Sequence, residues 1–150
     1  MPRVFNSTFE NALRIILLLD AFGTPQNTDM LYATDFIVVY ARTFGLADED
    51  LNGDNQYKFS EFVSRRYMVQ KALKELVLDG FVIPSETDRG INYQISKLGK
   101  KYCASLESDY ARAYKAIAGK VVEYADGKSE RTIISIINRL SVTSLKEDAK

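Results

Sequence analysis

Histidine and tryptophan are absent from this 150-residue sequence, and Cys103 is its only cysteine. Without histidine, neither His-based acid/base catalysis nor a Ser-His-Asp triad can be built. One cysteine cannot form a disulfide within the chain, and it cannot form a Cys/His zinc cluster either. We therefore expect no catalytic residues, no metal site and no cofactor, and we expect Cys103 to be a small buried apolar residue.

The sequence also lacks an excess of either charge, since 20 basic side chains balance 20 acidic ones. A neutral chain does not produce the broad positive field that sequence-independent DNA binding usually needs. No apolar run is long enough to span a bilayer, and the N-terminal MPRVFNSTFEN lacks the apolar segment of a signal peptide. These features predict a cytoplasmic protein that does not associate with a membrane.

Apolar residues make up 46% of the chain, and no repeat or Pro/Gly-rich linker divides it, so we expect one domain. Helical periodicity predicts a helix over about 8–22, a second from Thr28 to Gly45 and a third from Ser60 to 79. FVIP and INYQI then predict a β-hairpin around the polar turn SETDRG. A long helix from Ser96 and a short last helix after Ser129 follow.

Three helices, a hairpin and another helix are the layout of a winged helix, a variant of the helix-turn-helix. The stretch LKELVLDGFVIPSETDRGINYQISKLGKKY resembles that fold most closely, because it joins a helix end, a two-stranded wing and a capped helix start. The predicted class is thus mainly α (α+β), with extra C-terminal helices. We place the core at about 8–106, a helical extension at 107–142 and a frayed tail at 143–150.

The loop DLNGDNQYKFSE is similar to an EF-hand calcium loop, with oxygen ligands at Asp50, Asn52, Asp54 and Glu61. Asn55 replaces the glycine at position 6, however, and the sequence has no second loop for pairing. The alternative is a connection whose Asp and Asn side chains cap backbone amides, and we expect this one.

Two sets of side chains are candidate contact residues. The basic side chains that could contact phosphate are Arg65, Arg66, Lys71, Lys74, Arg89, Lys97, Lys100 and Lys101. Their alternative interpretation, which we favour, is a solvated charged face. The last helix is apolar over more than one stripe, so we predict a partner interface at Ile133, Ile134, Ile137 and Leu140.

FENALRIILLLDAFGTPQNTDMLYATDFIVVYARTFG, NGDNQYKFSEFVSRR and LKELVLDGFV together resemble the small middle component of bacterial ABC-three-component systems, which include the Lamassu anti-phage defences. The resemblance extends from about Phe9 to Leu106. It implies a non-enzymatic scaffold subunit that works with an SMC-like coiled-coil ATPase and an effector nuclease, and that meets DNA mainly through the complex. The alternative is a winged-helix transcription regulator that binds DNA as a homodimer.

Overall fold

The computed structural model describes residues 7–51, 53 and 57–148. In chain order the elements are α1 (Thr8–Phe22), β1 (Gln26–Asn27), α2 (Thr28–Val39), α3 (Lys58–Leu78), β2 (Val82–Thr87), β3 (Gly90–Ile95), α4 (Lys97–Ser105), α5 (Asp109–Ala125) and α6 (Glu130–Asp148). In the described part of the chain, six helices accompany one small antiparallel sheet, which confirms the predicted mainly helical α+β class. The helices and the hairpin also follow one another in the expected order, and the winged-helix assignment is an interpretation of that order.

α1 is an apolar helix that packs against α3 and α5. All five residues from Ile15 to Leu19 are buried. Ser7 caps its start by accepting a hydrogen bond from Glu10 N at 3.2 Å. Gly23 ends it in the left-handed conformation, with φ at 68°, as the sequence predicted.

α2 is the central helix of the fold, and its residues Met30–Val39 are all buried against α1, α3, α5 and α6. A helix that is apolar nearly all round has to be enclosed by other elements. The sequence prediction extended α2 to Gly45, which is wrong. The helix ends at Val39 because its carbonyl accepts a hydrogen bond from Leu51 N at 3.1 Å, and residues 40–45 form turns instead.

The predicted hairpin is present as β2 and β3, which pair from Val82↔Ile95 to Thr87↔Gly90. The sheet also contains β1, which the sequence did not predict, and β3 lies in its centre. Ser96 caps α4 as expected: its Oγ accepts a hydrogen bond from Gly99 N at 3.0 Å and donates one to Gly80 O at 2.7 Å. The hairpin is therefore tied at its base to the end of α3 and to the start of α4.

The C-terminal half differs from the sequence prediction in three ways. The single long helix expected after Ser96 is two helices, because Leu106 leaves the helical conformation and Ser108 caps α5 by accepting from Ala111 N. α6 continues to Asp148, through most of the segment that was expected to be a frayed tail. The region from residue 107 onward is also no appendage, since Tyr114, Val121 and Ile133 belong to the same hydrophobic core as α1 and α2.

Candidate functional site: a buried charge cluster and exposed faces

Four helices meet around the carboxylate of Asp35, which is fully buried in the middle of α2. Tyr114 of α5 donates its hydroxyl proton to Oδ1 at 2.7 Å, and Arg65 of α3 donates to Oδ2 at 2.7 Å. Arg14 of α1 donates from Nε to Oδ1 at 3.2 Å, and its Nη2 donates to Asn11. The guanidinium of Arg65 also lies over the ring of Phe36, 5.9 Å from its centroid.

The charges in this cluster determine how its groups ionise. Burial alone would raise the pKa of Asp35, but the positive charges of Arg14 and Arg65 and the hydrogen bonds from Tyr114 and Arg65 outweigh it and lower that pKa. Burial raises the pKa of Tyr114 well above its ordinary value, and the negative charge of Asp35 adds to the rise. At physiological pH the cluster therefore holds an ionised carboxylate at Asp35 and a neutral phenol at Tyr114.

The cluster links the helices that surround it, and its side chains are buried from solvent. Arg14 and Arg65 are 1% and 4% exposed, so a substrate could not reach the carboxylate without separating α1, α2, α3 and α5. Sequence reasoning missed this cluster entirely. One signal was present: Arg14 and Asp35 each interrupt a long apolar run, and a charge inside a buried helix needs an opposite charge beside it.

The structure corrects one of the predicted phosphate contacts, Arg65, and places a second, Arg66, beside a carboxylate. Arg65 lies in the core and is committed to Asp35, so it cannot contact nucleic acid in this fold. Arg66 remains on the surface, where its Nε donates to Asp29 Oδ1 at 2.7 Å, and its contact with phosphate stays a prediction.

The other predicted basic residues lie on three separate elements. Lys71 is exposed on α3, Arg89 lies in the turn between β2 and β3, and the exposed lysines of α4 are Lys97, Lys100 and Lys101. Whether they contact nucleic acid stays a prediction. Lys71 places its Nζ 6.0 Å from the ring centroid of Tyr67.

The apolar residues of α6 differ in their surroundings: some are buried in the core, some are half-buried, and some line a groove. The sequence alone did not distinguish them. Ile133 and Ile137 are fully buried in the core, so the predicted partner interface is wrong at these two residues. Ile134 and Leu140 are half-buried and keep the interface prediction open. Leu140 and Ile136 line a groove of about 400 Å³, whose other walls are formed by residues including Phe44 and Tyr124.

In the loop that resembles a calcium site, the side chain of the first residue, Asp50, already makes a hydrogen bond within the protein. Asp50 Oδ1 accepts a hydrogen bond from Arg42 N at 3.0 Å, which is the backbone-capping role that the sequence analysis favoured. Asn52 and Asp54 lie outside the described residues. Within residues 7–51, 53 and 57–148, no group of three or more carboxylate or thiol side chains is placed to hold a metal ion.

We expect millimolar calcium to leave the thermal midpoint of the chain unchanged, because Asp50 caps a backbone amide. A ligand at about a hundred times its Kd would add about 2.7 kcal/mol of stability, which a thermal melt monitored by circular dichroism detects easily. Magnesium at the same concentration is the control for ionic strength. An upward shift with calcium that the Asp50→Ala variant loses would contradict this expectation.

Cys103 is buried, as expected, and its Sγ lies 3.5 Å from Ile16 O. Burial raises the pKa of this thiol to about 12, and the charge of Asp20 acts in the same direction. Since the thiolate is the nucleophilic form, the side chain is inert at neutral pH.

Comparison with known proteins identifies the family of this chain. Residues 4–147 match the family ABC-three component (ABC-3C) system Middle Component 2. No curated protein and no solved structure matches the chain significantly. Through the described part of the chain, no helix is both long and apolar enough to cross a membrane. Since the family match includes nearly every described residue, from α1 to the last turn of α6, the chain belongs to the Middle Component 2 family of ABC-three component systems.

Proposed function

We propose that this chain is a non-enzymatic scaffold subunit of a Lamassu-type anti-phage defence complex, in which it links an SMC-like ABC ATPase to an effector nuclease. The observation that carries the proposal is its membership of a middle-component family over residues 4–147. A middle component works beside the other components of its system, so this chain requires surfaces that bind proteins. DNA is then engaged mainly by the complex.

The outer side of α6 supports this role. Ile134 and Leu145 are eleven residues apart, about three helical turns, so they lie on one side of the helix. Leu145 is 66% exposed, and Val142 beside it is also exposed. Val142 and Leu145 are left exposed by the domain and Ile134 is half-buried; such apolar side chains are typical of a protein interface, and a fully exposed one can contribute about 1.5–3 kcal/mol when a partner buries it.

The arrangement of charges on α3 supports the scaffold role better than the alternative, a DNA-binding winged-helix transcription regulator. In a helix-turn-helix, side chains of the recognition helix reach base edges in the major groove. Here Arg65 points into the core and Arg66 is paired with Asp29, so α3 offers fewer free cations than its sequence suggested.

We expect the SMC-like ATPase to co-purify with this chain when all components encoded beside it are co-expressed and the tag is on this subunit. Ile134→Asp combined with Leu145→Asp should reduce the recovered ATPase at least roughly tenfold, since two charges would replace apolar contacts at the interface. The amounts of both proteins would be compared by quantitative mass spectrometry.

Ile91→Asp is the matched control, because Ile91 is an exposed apolar residue on β3, far along the chain from α6. It should leave the recovery unchanged. Circular dichroism should show that all variants remain folded. If the wild-type chain purifies alone as a symmetric dimer, the scaffold role loses to the regulator.

A further inference from the structure

The side of α3 that points away from the core is an unusual surface for a solvated helix. Phe62, Val69 and Leu73 point inward, and the opposite side carries Val63, Tyr67, Lys71, Lys74 and Leu78, which we call the α3 outer face. Val63, Tyr67 and Leu78 are 80%, 65% and 74% exposed. Large apolar groups so fully in solvent, repeated along one helix, indicate a surface that a partner covers.

The chemistry of the α3 outer face fits a protein better than a nucleic acid. Phosphate binding needs several free cations, and the face itself has only Lys71 and Lys74, with the exposed carboxylate of Glu75 beside them. Three apolar side chains at the two ends of the face would remain uncovered against a phosphate backbone. A protein partner can bury them and can also supply acidic groups to the lysines.

The length and spacing of these residues fit a helix as the partner. Val63 and Tyr67 form an apolar patch near the start of α3, Lys71 and Lys74 form a basic centre, and Leu78 forms a second apolar patch fifteen residues after Val63. The face is therefore about 22 Å long, or roughly four helical turns. A second helix lying along α3 repeats its side chains at the same spacing, so it can meet all three patches at once.

We propose that the α3 outer face docks an amphipathic helix of another component of the same system, with apolar side chains at both ends of about four turns and carboxylates between them. This inference rests on the proposed function, because it takes the partner from the same complex. Lys71 and Lys74 then pair with the partner's carboxylates at the centre of the contact, while Tyr67 and Leu78 pack against its apolar ends.

Photo-cross-linking of the complete co-purified complex tests the position of the partner. A benzophenone amino acid would replace Tyr67 in one sample and Leu78 in another, and the cross-linked peptides would be sequenced by mass spectrometry. Both positions should cross-link to one helical segment of another component, at sites about 11 residues apart, since 11 residues separate the two probes on α3. The same probe at Arg112, an exposed residue of α5, should not reach that segment.

Charge reversal tests the basic centre of the face. Lys71→Glu with Lys74→Glu should weaken binding of the partner roughly tenfold, as like charges across an interface repel. Exchange of the facing carboxylates of the partner for lysines should restore it. Arg112→Glu with Lys120→Glu changes the charge by the same amount on α5 and should leave affinity unchanged. All these positions are exposed, so circular dichroism should show folded variants.

The outcomes separate this inference from the proposed function. A complex that purifies intact, but in which positions 67 and 78 cross-link to nothing, to DNA or to a second copy of this chain, overturns the docking inference and leaves the scaffold role standing. A chain that binds none of the co-expressed components overturns both. Cross-links to one acidic amphipathic helix, together with rescue by charge exchange, establish the inference.

Discussion

Asp35→Asn is expected to lower the free energy of unfolding by about 3–5 kcal/mol, the usual cost of removing one partner from a buried ion pair. The substitution keeps the volume of the side chain, so the loss comes from charge and not from a cavity. Arg14 and Arg65 would both stay buried and would both lose the carboxylate that they contact. Urea unfolding monitored by far-UV circular dichroism measures the change.

Asp29→Asn is the matched control, because Asp29 also pairs with an arginine, Arg66, but both side chains of that pair are more than a third exposed. Solvent screens such a pair, so the control should lose no more than about 1 kcal/mol. Equal losses in the two variants would show that the Asp35 cluster does not stabilise the fold.

The effect of Asp35→Asn should also depend on pH. The folded protein lowers the pKa of Asp35, so the stability that this carboxylate contributes is complete above the ordinary aspartate pKa. It is lost as the pH falls through the lower folded-state pKa. The difference between wild type and Asp35→Asn should therefore be constant near neutrality and should shrink only in strong acid.

Gly99→Ala is expected to destabilise the fold by about 1–3 kcal/mol, the usual range for overpacking. A Cβ at this position would overlap the carbonyl oxygen of Phe81 and would lie 2.7 Å from Ile95 Cγ1. The Phe81 carbonyl accepts a hydrogen bond from Ser96 N, so the backbone at the base of the hairpin would have to move. Thermal and urea unfolding of the purified variant give the size of the loss.

Gly119→Ala is a control in which the change in stability should have the opposite sign. Gly119 is also in a helix, α5, but an added Cβ would meet no atom within 4 Å. Alanine is a better helix former than glycine by up to about 1 kcal/mol, so this variant should be more stable than wild type. If both variants lose stability to the same degree, the close approach of α4 to Phe81 is not what determines the requirement for glycine at position 99.

Local signals in the sequence predicted the elements that have local causes. The end of α1 at Gly23, the hairpin and the cap of α4 at Ser96 each depend on a few neighbouring residues, and all three are confirmed. β1 has only two residues, and it becomes a strand by pairing with β3, sixty-seven residues further along at the Gln26↔Tyr93 pair. No local pattern encodes such a contact.

The division of residues between core and surface was predicted less well, for a related reason. Periodicity shows that α6 is apolar on several sides, but only the position of α2 determines that Ile133 and Ile137 point inward. Arg65 was assigned to the surface because arginine is usually there. Its true place depends on Asp35 and on the other helices around that carboxylate, which are distant in sequence.

The Asp35 cluster also constrains the order in which this protein can fold during synthesis. Its members are Arg14, Asp35, Arg65 and Tyr114, so the last of them is made one hundred residues after the first. Until α5 has left the ribosome, the carboxylate lacks its phenol donor, and the apolar sides of α1 and α2 that pack on α5 have no cover. Nascent chains that end before α5 would expose apolar surface to which chaperones bind. The domain can therefore complete its fold only when the chain is nearly full length.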